Sequence, residues 1–328
     1  MIMTRALLLL GGLALAFMIS KPGLAATQDF GTWMDQTREA ALKKGISPET
    51  VQVALNSNIK PIDRIIELDR KQPEGKMTFA KYRRNIVNDL RIARGRKMMR
   101  ENQALLNEVS EKYNVQPQYI VALWGIETNY GSNTGGFDVI NALATLAYDG
   151  RRAEFFTSEL MNALQIIDEG HISYEDMKGS WAGAMGQSQF MPSSFLTFAE
   201  DFNGDGRRDI WNTRADVFAS AANYLSKSGW NGDERWGRLV EVPANLSRSY
   251  FDLDVKKSLA EWQRLGVRKA NGNDLPMVDG MQASLVQPDG EGNSAYLVYN
   301  NYRTIMKWNR STYFATSVGL LADAISAY

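Results

Sequence analysis

Pro117-Gln-Tyr-Ile-Val-Ala-Leu-Trp-Gly-Ile-Glu-Thr-Asn-Tyr-Gly131 reads as a helix that starts on proline and ends before glycine. Proline suits a first turn because its missing N–H would have no partner there. Ile120, Val121, Leu123 and Trp124 are expected to form one apolar face. Glu127 then falls in the last turn, at the negative end of the helix dipole, with Trp124 one turn back to exclude water. Both effects disfavour the charged carboxylate and raise its pKa. A carboxyl group kept protonated near neutral pH is what a general acid requires. Taken alone, the segment is read more simply as a surface glutamate near a helix end.

Outward from this helix, apolar residues recur at helical spacing over 113–229, interrupted by glycine-rich loops at 131–136, 179–186 and 204–206. Catalytic groups commonly sit on loops held by such a scaffold. On the N-terminal side, residues 30–112 are also helical in pattern, punctuated at Lys71-Gln-Pro-Glu74, and the charge run over 91–100 reads as a solvated helix face. Past Arg238 the pattern changes. Residues 239–242 read as a strand, and 283–287 and 294–299 flank the turn Pro288-Asp-Gly-Glu-Gly-Asn293, a hairpin signal. A short helix is expected over 255–265 and a terminal apolar-periodic one over 311–325. The fold class that follows is α+β, mainly α-helical.

The first residues read as an export signal. Arg5 supplies a basic start, Gly23-Leu-Ala25 a small-residue cleavage site, and residues 6–19 an apolar run. That run is shorter than the roughly 20 residues a bilayer span needs. Removing residues 1–25 takes away Arg5 and Lys21 and leaves 35 basic against 37 acidic residues, a net charge of −2. No polycation is present to hold nucleic acid. The absence of cysteine excludes disulfides and lipid attachment to a cysteine at the cleavage site. A chain of 328 residues can bury a sizeable core without such staples, and its 8 Trp and 13 Tyr lean toward a sugar-binding or interface surface.

Five motifs in order carry a resemblance over nearly the whole mature chain: Leu68-Asp-Arg-Lys-Gln-Pro-Glu74; Trp124-Gly-Ile-Glu-Thr-Asn-Tyr-Gly131; Ala142-Leu-Ala-Thr-Leu-Ala-Tyr148; Gly179-Ser-Trp-Ala-Gly-Ala-Met-Gly186 with Gln189-Phe-Met-Pro192; and Lys307-Trp-Asn-Arg-Ser311. Together they resemble the lytic murein transglycosylase B family. The resemblance implies a lysozyme-like catalytic core with a helical N-terminal region and a small β-containing insertion. The divisions expected are a signal peptide at 1–25, the helical region at 26–112 and the core with a calcium loop at 113–236. The β-containing part follows at 237–306, and a C-terminal helix at 307–328 returns to the core.

Ordinary glycosidases use two carboxylates, and the motif here offers one. In the family resembled, that glutamate protonates the glycosidic oxygen between N-acetylmuramic acid and N-acetylglucosamine. It then deprotonates the C6 hydroxyl of the same muramic acid, closing a 1,6-anhydro ring without consuming water. The nucleophile is internal, so its effective molarity replaces an activated water. A hydrolytic muramidase using the same Glu127, and an inactive murein-binding scaffold, are the alternatives. Intact Glu127, Ser180, Gln189 and Asn309 argue against the scaffold.

The resemblance also assigns Ser180, Gln189 and Asn309 as polar substrate positions, and Phe190, Tyr224 and Trp308 as aromatic ones lining the groove. Family members usually carry Tyr where this chain has Trp308, and often where Phe314 sits, so a hydroxyl is lost or replaced at each. Arg151 and Arg152 follow a family-like Tyr-Asp-Gly and are assigned to substrate carboxylates, with a surface or ion-pair role as the alternative. His171, the single histidine, is read as structural rather than as a zinc ligand. A Ser-His-Asp triad has no supporting motif.

Asp201-Phe-Asn-Gly-Asp-Gly206 places oxygen ligands at loop positions one, three and five and glycine at six, as a calcium loop needs. Position twelve is Asn212 instead of Glu, and position eight is Arg208 where an aliphatic residue is expected. The resemblance implies a longer loop completed further on, with Asp216 as last carboxylate, Asp209 in reserve, and Arg207 contributing its backbone carbonyl. The ion is expected to be structural, with no cofactor for catalysis; a metal-free Asx-rich turn is the alternative. Expected partners are peptidoglycan glycan strands and cell-wall synthesis proteins, and not nucleic acid. A monomer in the periplasm is expected.

Overall fold

The computed structural model describes residues 28–71, 77–290, 292 and 294–327. The expected export signal at 1–25 and the end of the Leu68–Glu74 motif lie outside the described residues.

In chain order the first helices are α1 (Phe30–Lys43), α2 (Pro48–Ala54), α3 (Asp63–Arg70), α4 (Phe79–Ile86), α5 (Asp89–Glu101) and α6 (Gln103–Tyr113). They are followed by α7 (Pro117–Thr128), β1 (Phe137–Asp138), α8 (Val139–Asp149), α9 (Ala153–Asp168), β2 (Lys178–Gly179), α10 (Pro192–Phe198) and α11 (Arg214–Lys227). The last third holds β3 (Gly237–Glu241), β4 (Lys257–Ser258), α12 (Leu259–Arg264), β5 (Arg268–Lys269), β6 (Gln282–Val286), β7 (Ala295–Val298), α13 (Asn300–Trp308) and α14 (Thr312–Ser326).

Contacts gather these elements into two compact units. One contains residues 28–71 with 123–224, the other 77–122 with 225–327, and the chain passes between them within α7. The expected boundary at 306/307 falls inside α13, so the chain ends on two helices rather than one.

In the first unit, α8 packs along α9, with α3 against α8 and both α2 and α10 against α9. Local chemistry starts these helices. Asp29 and Asp138 accept from Thr32 N (3.0 Å) and Asn141 N (2.8 Å), and Ser47 caps α2 with Pro48 in its first turn. The first turn of α10 is capped from another helix: buried Glu159 accepts from Ser193 N (2.8 Å) and Ser193 Oγ (2.6 Å). A two-residue ladder pairs Phe137 with Gly179 and so anchors both glycine-rich loops.

The second unit carries an antiparallel sheet in the order β4-β6-β7-β3-β5, larger than the hairpin and strand expected. The hairpin registers Leu285 opposite Leu297, and the sheet's core gathers Trp262, Leu285, Leu297 and Tyr299. At the hairpin tip, the Asp289 carboxylate accepts the first amides of α4, Phe79 N and Ala80 N. The helix expected over 255–265 is shorter, because β4 pairs with β6 before α12 opens on a capping box of Ser258 and Glu261.

In the same unit α14 packs on α4, α5 and α13, and its Gly319 lies against the buried ring of Trp236. A Cβ at Gly319 would stand 2.1 Å from that ring, which is itself tied down by its Nε1 donating to Asp323 Oδ2 (3.0 Å). Gly319→Ala is therefore expected to destabilise the protein by about 3 kcal/mol through overpacking. A fall in the urea midpoint with an unchanged denaturant slope would show it; an unchanged midpoint would contradict it.

Candidate active site

The predicted helix forms as α7, with Glu127 in its last turn. One expectation is corrected: Tyr119 to Trp124 and Ile126 are all buried, so the helix has no single apolar face and is enclosed on every side. Glu127 is half-buried among these residues.

Behind Glu127 the chain bends through Asn129, Tyr130 and Gly131, all at positive φ (50°, 59° and 78°). Two of these are not glycine, a strained arrangement that persists only where surrounding contacts enforce it. Tyr130 N bonds back to Trp124 O (3.2 Å), and the Tyr130 ring folds over Gly125, where a Cβ would stand 2.6 Å from it. Trp124 meets Tyr130 and Phe218 edge-on, with ring centroids 5.6 and 5.1 Å away.

Gln187 closes this arrangement, and sequence reading missed it. Its Oε1 accepts from Trp124 Nε1 (2.8 Å), its Nε2 donates to Trp211 O (2.7 Å), and its carbonyl accepts from Thr128 Oγ1 (3.0 Å). Its own amide donates to Ile210 O (2.8 Å). Glu127 thus sits between two residues, Trp124 and Thr128, that one glutamine fastens to the end of the acidic loop. The available signal was the glycine at 131, where a Cβ would fall 2.3 Å from Gln187 Oε1.

Of the expected polar positions, Ser180 is buried, and its hydroxyl accepts from Ala182 N (3.3 Å) and Ala184 N (3.0 Å), which leaves its own proton to donate. Gln189 is held at φ 49°, and its Nε2 donates to Thr134 O (3.1 Å) and Gly186 O (3.0 Å), leaving Oε1 to accept. Phe190 is only 2% exposed, 5.8 Å from the ring of half-buried Tyr224; burial pushes the Tyr224 phenol up to about 12. Glu127, Ser180, Gln189, Phe190 and Tyr224 all belong to the first unit. Trp308 and Asn309 belong to the second, where the Asn309 side chain is buried and accepts from Ser311 N (3.0 Å) ahead of α14.

Arg151 and Arg152 converge on buried Asp69: Arg151 Nε donates to Oδ2 (2.7 Å) and Arg152 Nη2 to Oδ1 (2.5 Å). Their ion-pair alternative is therefore realised, while the Arg151 side chain keeps 49% of its surface exposed.

In the acidic loop, Asp201 accepts from Gly204 N and Gly206 N (both 2.8 Å) and Asp205 from Arg207 N (2.9 Å). Asp216, fully buried on α11, accepts from Phe202 N (2.9 Å) and Asp209 N (2.8 Å). Burial, with the charge of Asp201 adding to it, pushes its pKa up. Asp209 accepts from Trp211 N (3.0 Å) and Asn212 N (2.9 Å) within its own turn, both on Oδ1. Among the described residues no group of three His, Cys, Asp or Glu side chains gathers around one point. The donor set is nevertheless all oxygen, and buried Asp216 pairs with no cationic side chain among the described residues, the condition a hard cation would relieve. His171 fastens Arg208: its Nδ1 accepts Arg208 N (3.2 Å), and the guanidinium reaches Glu169 Oε2 (2.7 Å).

A family model described as Transglycosylase SLT domain matches residues 29–323. Fold and match together define a lysozyme-like enzyme that cleaves polysaccharide. The chain belongs to this family, the lytic transglycosylases, which cleave the glycan strands of peptidoglycan. It is 32% identical over 298 residues to membrane-bound lytic murein transglycosylase B of Escherichia coli K12, covering 87% of this chain and 80% of that protein. The crystal structure of SltB3 from Pseudomonas aeruginosa, in complex with NAG-anhNAM-pentapeptide, superposes with a TM-score of 0.89 at 43% identity, covering 92% of this chain and 80% of that one. The Escherichia coli lytic transglycosylase Slt35, in complex with calcium, gives 0.77 at 28% identity over 89% of this chain and 92% of that one.

Proposed function

We propose that Glu127 cleaves the bond between N-acetylmuramic acid and N-acetylglucosamine alone, first as acid and then as base. The observation that supports this most directly is its setting. Glu127 is the only carboxylate between Glu111 and Asp138, half-buried at the end of an enclosed apolar helix. The negative end of the helix favours the protonated form that the first step needs.

In that step the Glu127 proton passes to the glycosidic oxygen as its bond to the muramic acid C1 breaks. The resulting carboxylate takes the proton of the C6 hydroxyl as that oxygen bonds to C1, which restores the acid and consumes no water. The Ser180 proton and the Gln189 Oε1, each left over from backbone bonding, supply one donor and one acceptor for the sugar. The anhydro sugar held by the SltB3 relative is the product type this sequence of steps forms. Mass spectrometry of sacculi digested by the full chain should show anhydro-muramic ends, each lighter by one water than a reducing end. Reducing ends alone would overturn the reading in favour of a hydrolase.

The loop is read as a structural calcium site held by Asp201, Asn203, Asp205, the Arg207 carbonyl and Asp216. The ion would supply positive charge beside buried Asp216 and takes no part in bond cleavage. Calcium at about a hundredfold excess over its Kd is expected to stabilise the fold by about 2.7 kcal/mol. The gain should be reversed by a chelator and absent in Asp216→Asn; a melting temperature indifferent to calcium counts against the site. Export of the chain through residues 1–25 to act in the periplasm completes this reading.

A further inference from the structure

The second unit contains a small cavity that glycan cleavage does not use. Its volume is about 60 Å³, and Lys256, Gln282, Ser284, Asn300 and Arg303 are among its walls. It lies at the corner of the sheet where β4 pairs with β6 and β6 with β7, with Lys257 opposite Ala283 and Ser284 opposite Val298. That is several times the roughly 10–15 Å³ a single water needs on the same measure, room enough for a carboxylate group.

Arg303 is held there by neutral partners. Its Nη2 donates to the Leu253 carbonyl and to Ser284 Oγ (2.7 Å), and fully buried Ser284 in turn donates to Leu253 O (2.8 Å). A guanidinium carries five N–H donors, and those on Nη1 and Nε have no acceptor among the described residues. Among the described residues no carboxylate pairs with Arg303 or with Lys256. The helix α13 starts beside them at Asn300 with no side-chain cap, so its positive end adds to both charges. A half-buried cation pinned in place with no counter-ion among the described residues keeps its remaining donors for an anion from solution. Here it faces a cavity of anion size.

We infer that this cavity binds a carboxylate of a peptidoglycan stem peptide. The inference rests on the murein reading above, because the stems are where that polymer carries its carboxylates. It adds a second contact, to the peptide rather than to the sugar, made by the sheet and α13. Charge-assisted hydrogen bonds from Arg303 would fix the carboxylate, and exposed Lys256 would strengthen the attraction at the rim.

Calorimetric titration of the full chain with stem peptide released from sacculi by an amidase tests this. Saturable binding is expected, weakened about threefold by Lys256→Met and about tenfold or more by Arg303→Met, and lost when the peptide carboxylates are converted to amides. Lys256 is exposed, so its variant remains informative even if Arg303→Met fails to fold. Equal binding by wild type and Lys256→Met, undiminished binding of the amidated peptide, or equal binding of an unrelated peptide with the same number of carboxylates would each overturn the assignment. Cleavage of stem-free glycan strands by the wild type is measured alongside. Its failure would strike the murein reading, whereas its success with no peptide binding would strike this inference alone.

Discussion

Glu127→Gln is expected to slow strand cleavage by about a thousandfold or more. Each proton transfer assisted by a positioned side chain contributes roughly 10²–10⁴, and in the proposed reaction both transfers pass through this one residue. Glutamine keeps the size and polarity of the side chain while removing the exchangeable carboxyl proton. Because Glu127 is only half-buried, the substitution should leave circular dichroism and the melting temperature near those of the wild type. Release of muropeptides from purified sacculi, followed against time, measures the effect. A variant within about tenfold of the wild type would mean that another group moves the proton.

Gln187→Leu is expected to weaken both fold and activity. The side chain loses its acceptor for Trp124 Nε1 and its donor for Trp211 O, two groups in buried residues. Leaving each unsatisfied costs about 1–3 kcal/mol, so a loss of about 2–5 kcal/mol is expected in urea unfolding. The Thr128 bond to the Gln187 carbonyl survives, which anchors one side of Glu127 and frees the other. Displacement of a reacting group by about 1 Å can cost about a hundredfold. The turnover number should therefore fall by roughly tenfold to a hundredfold, with KM little changed. Gln187→Glu, which keeps an acceptor for Trp124, should recover part of the loss. Full stability and full turnover in Gln187→Leu would show that the glutamine does not position Glu127.

The two residues differ in how visible they were. Glu127 stood out because a proline, an apolar run and a glycine fixed its place in a helix, and the neighbouring motifs gave that place a chemistry. Gln187 carries no local signal. Its importance lies in reaching residues 63 and 24 positions away, and nothing in the residues beside it announces those partners. The same distinction holds for Asp69, whose arginines lie 82 and 83 residues on, and for Arg303, which meets Leu253 and Ser284 from 50 and 19 positions away.

By itself the sequence determined the place of α7, the helical character of residues 30–112 and 113–229, the hairpin, the mixed and mainly helical class, and the carboxylate on which the proposed chemistry turns. These depend on backbone preference, apolar period and capping groups, which act within a few residues and can be read in order. Only the tertiary structure decided that α7 is enclosed on every side, that the backbone after Glu127 is held at positive φ, and that Asp216 is buried while Asp209 accepts within its own turn. It also decided that an arginine with no counter-ion among the described residues faces a cavity in the sheet. Burial and hydrogen-bond partnership follow from which distant segments the fold brings together. The cost of a buried polar group is set by those partners, not by its neighbours in the chain.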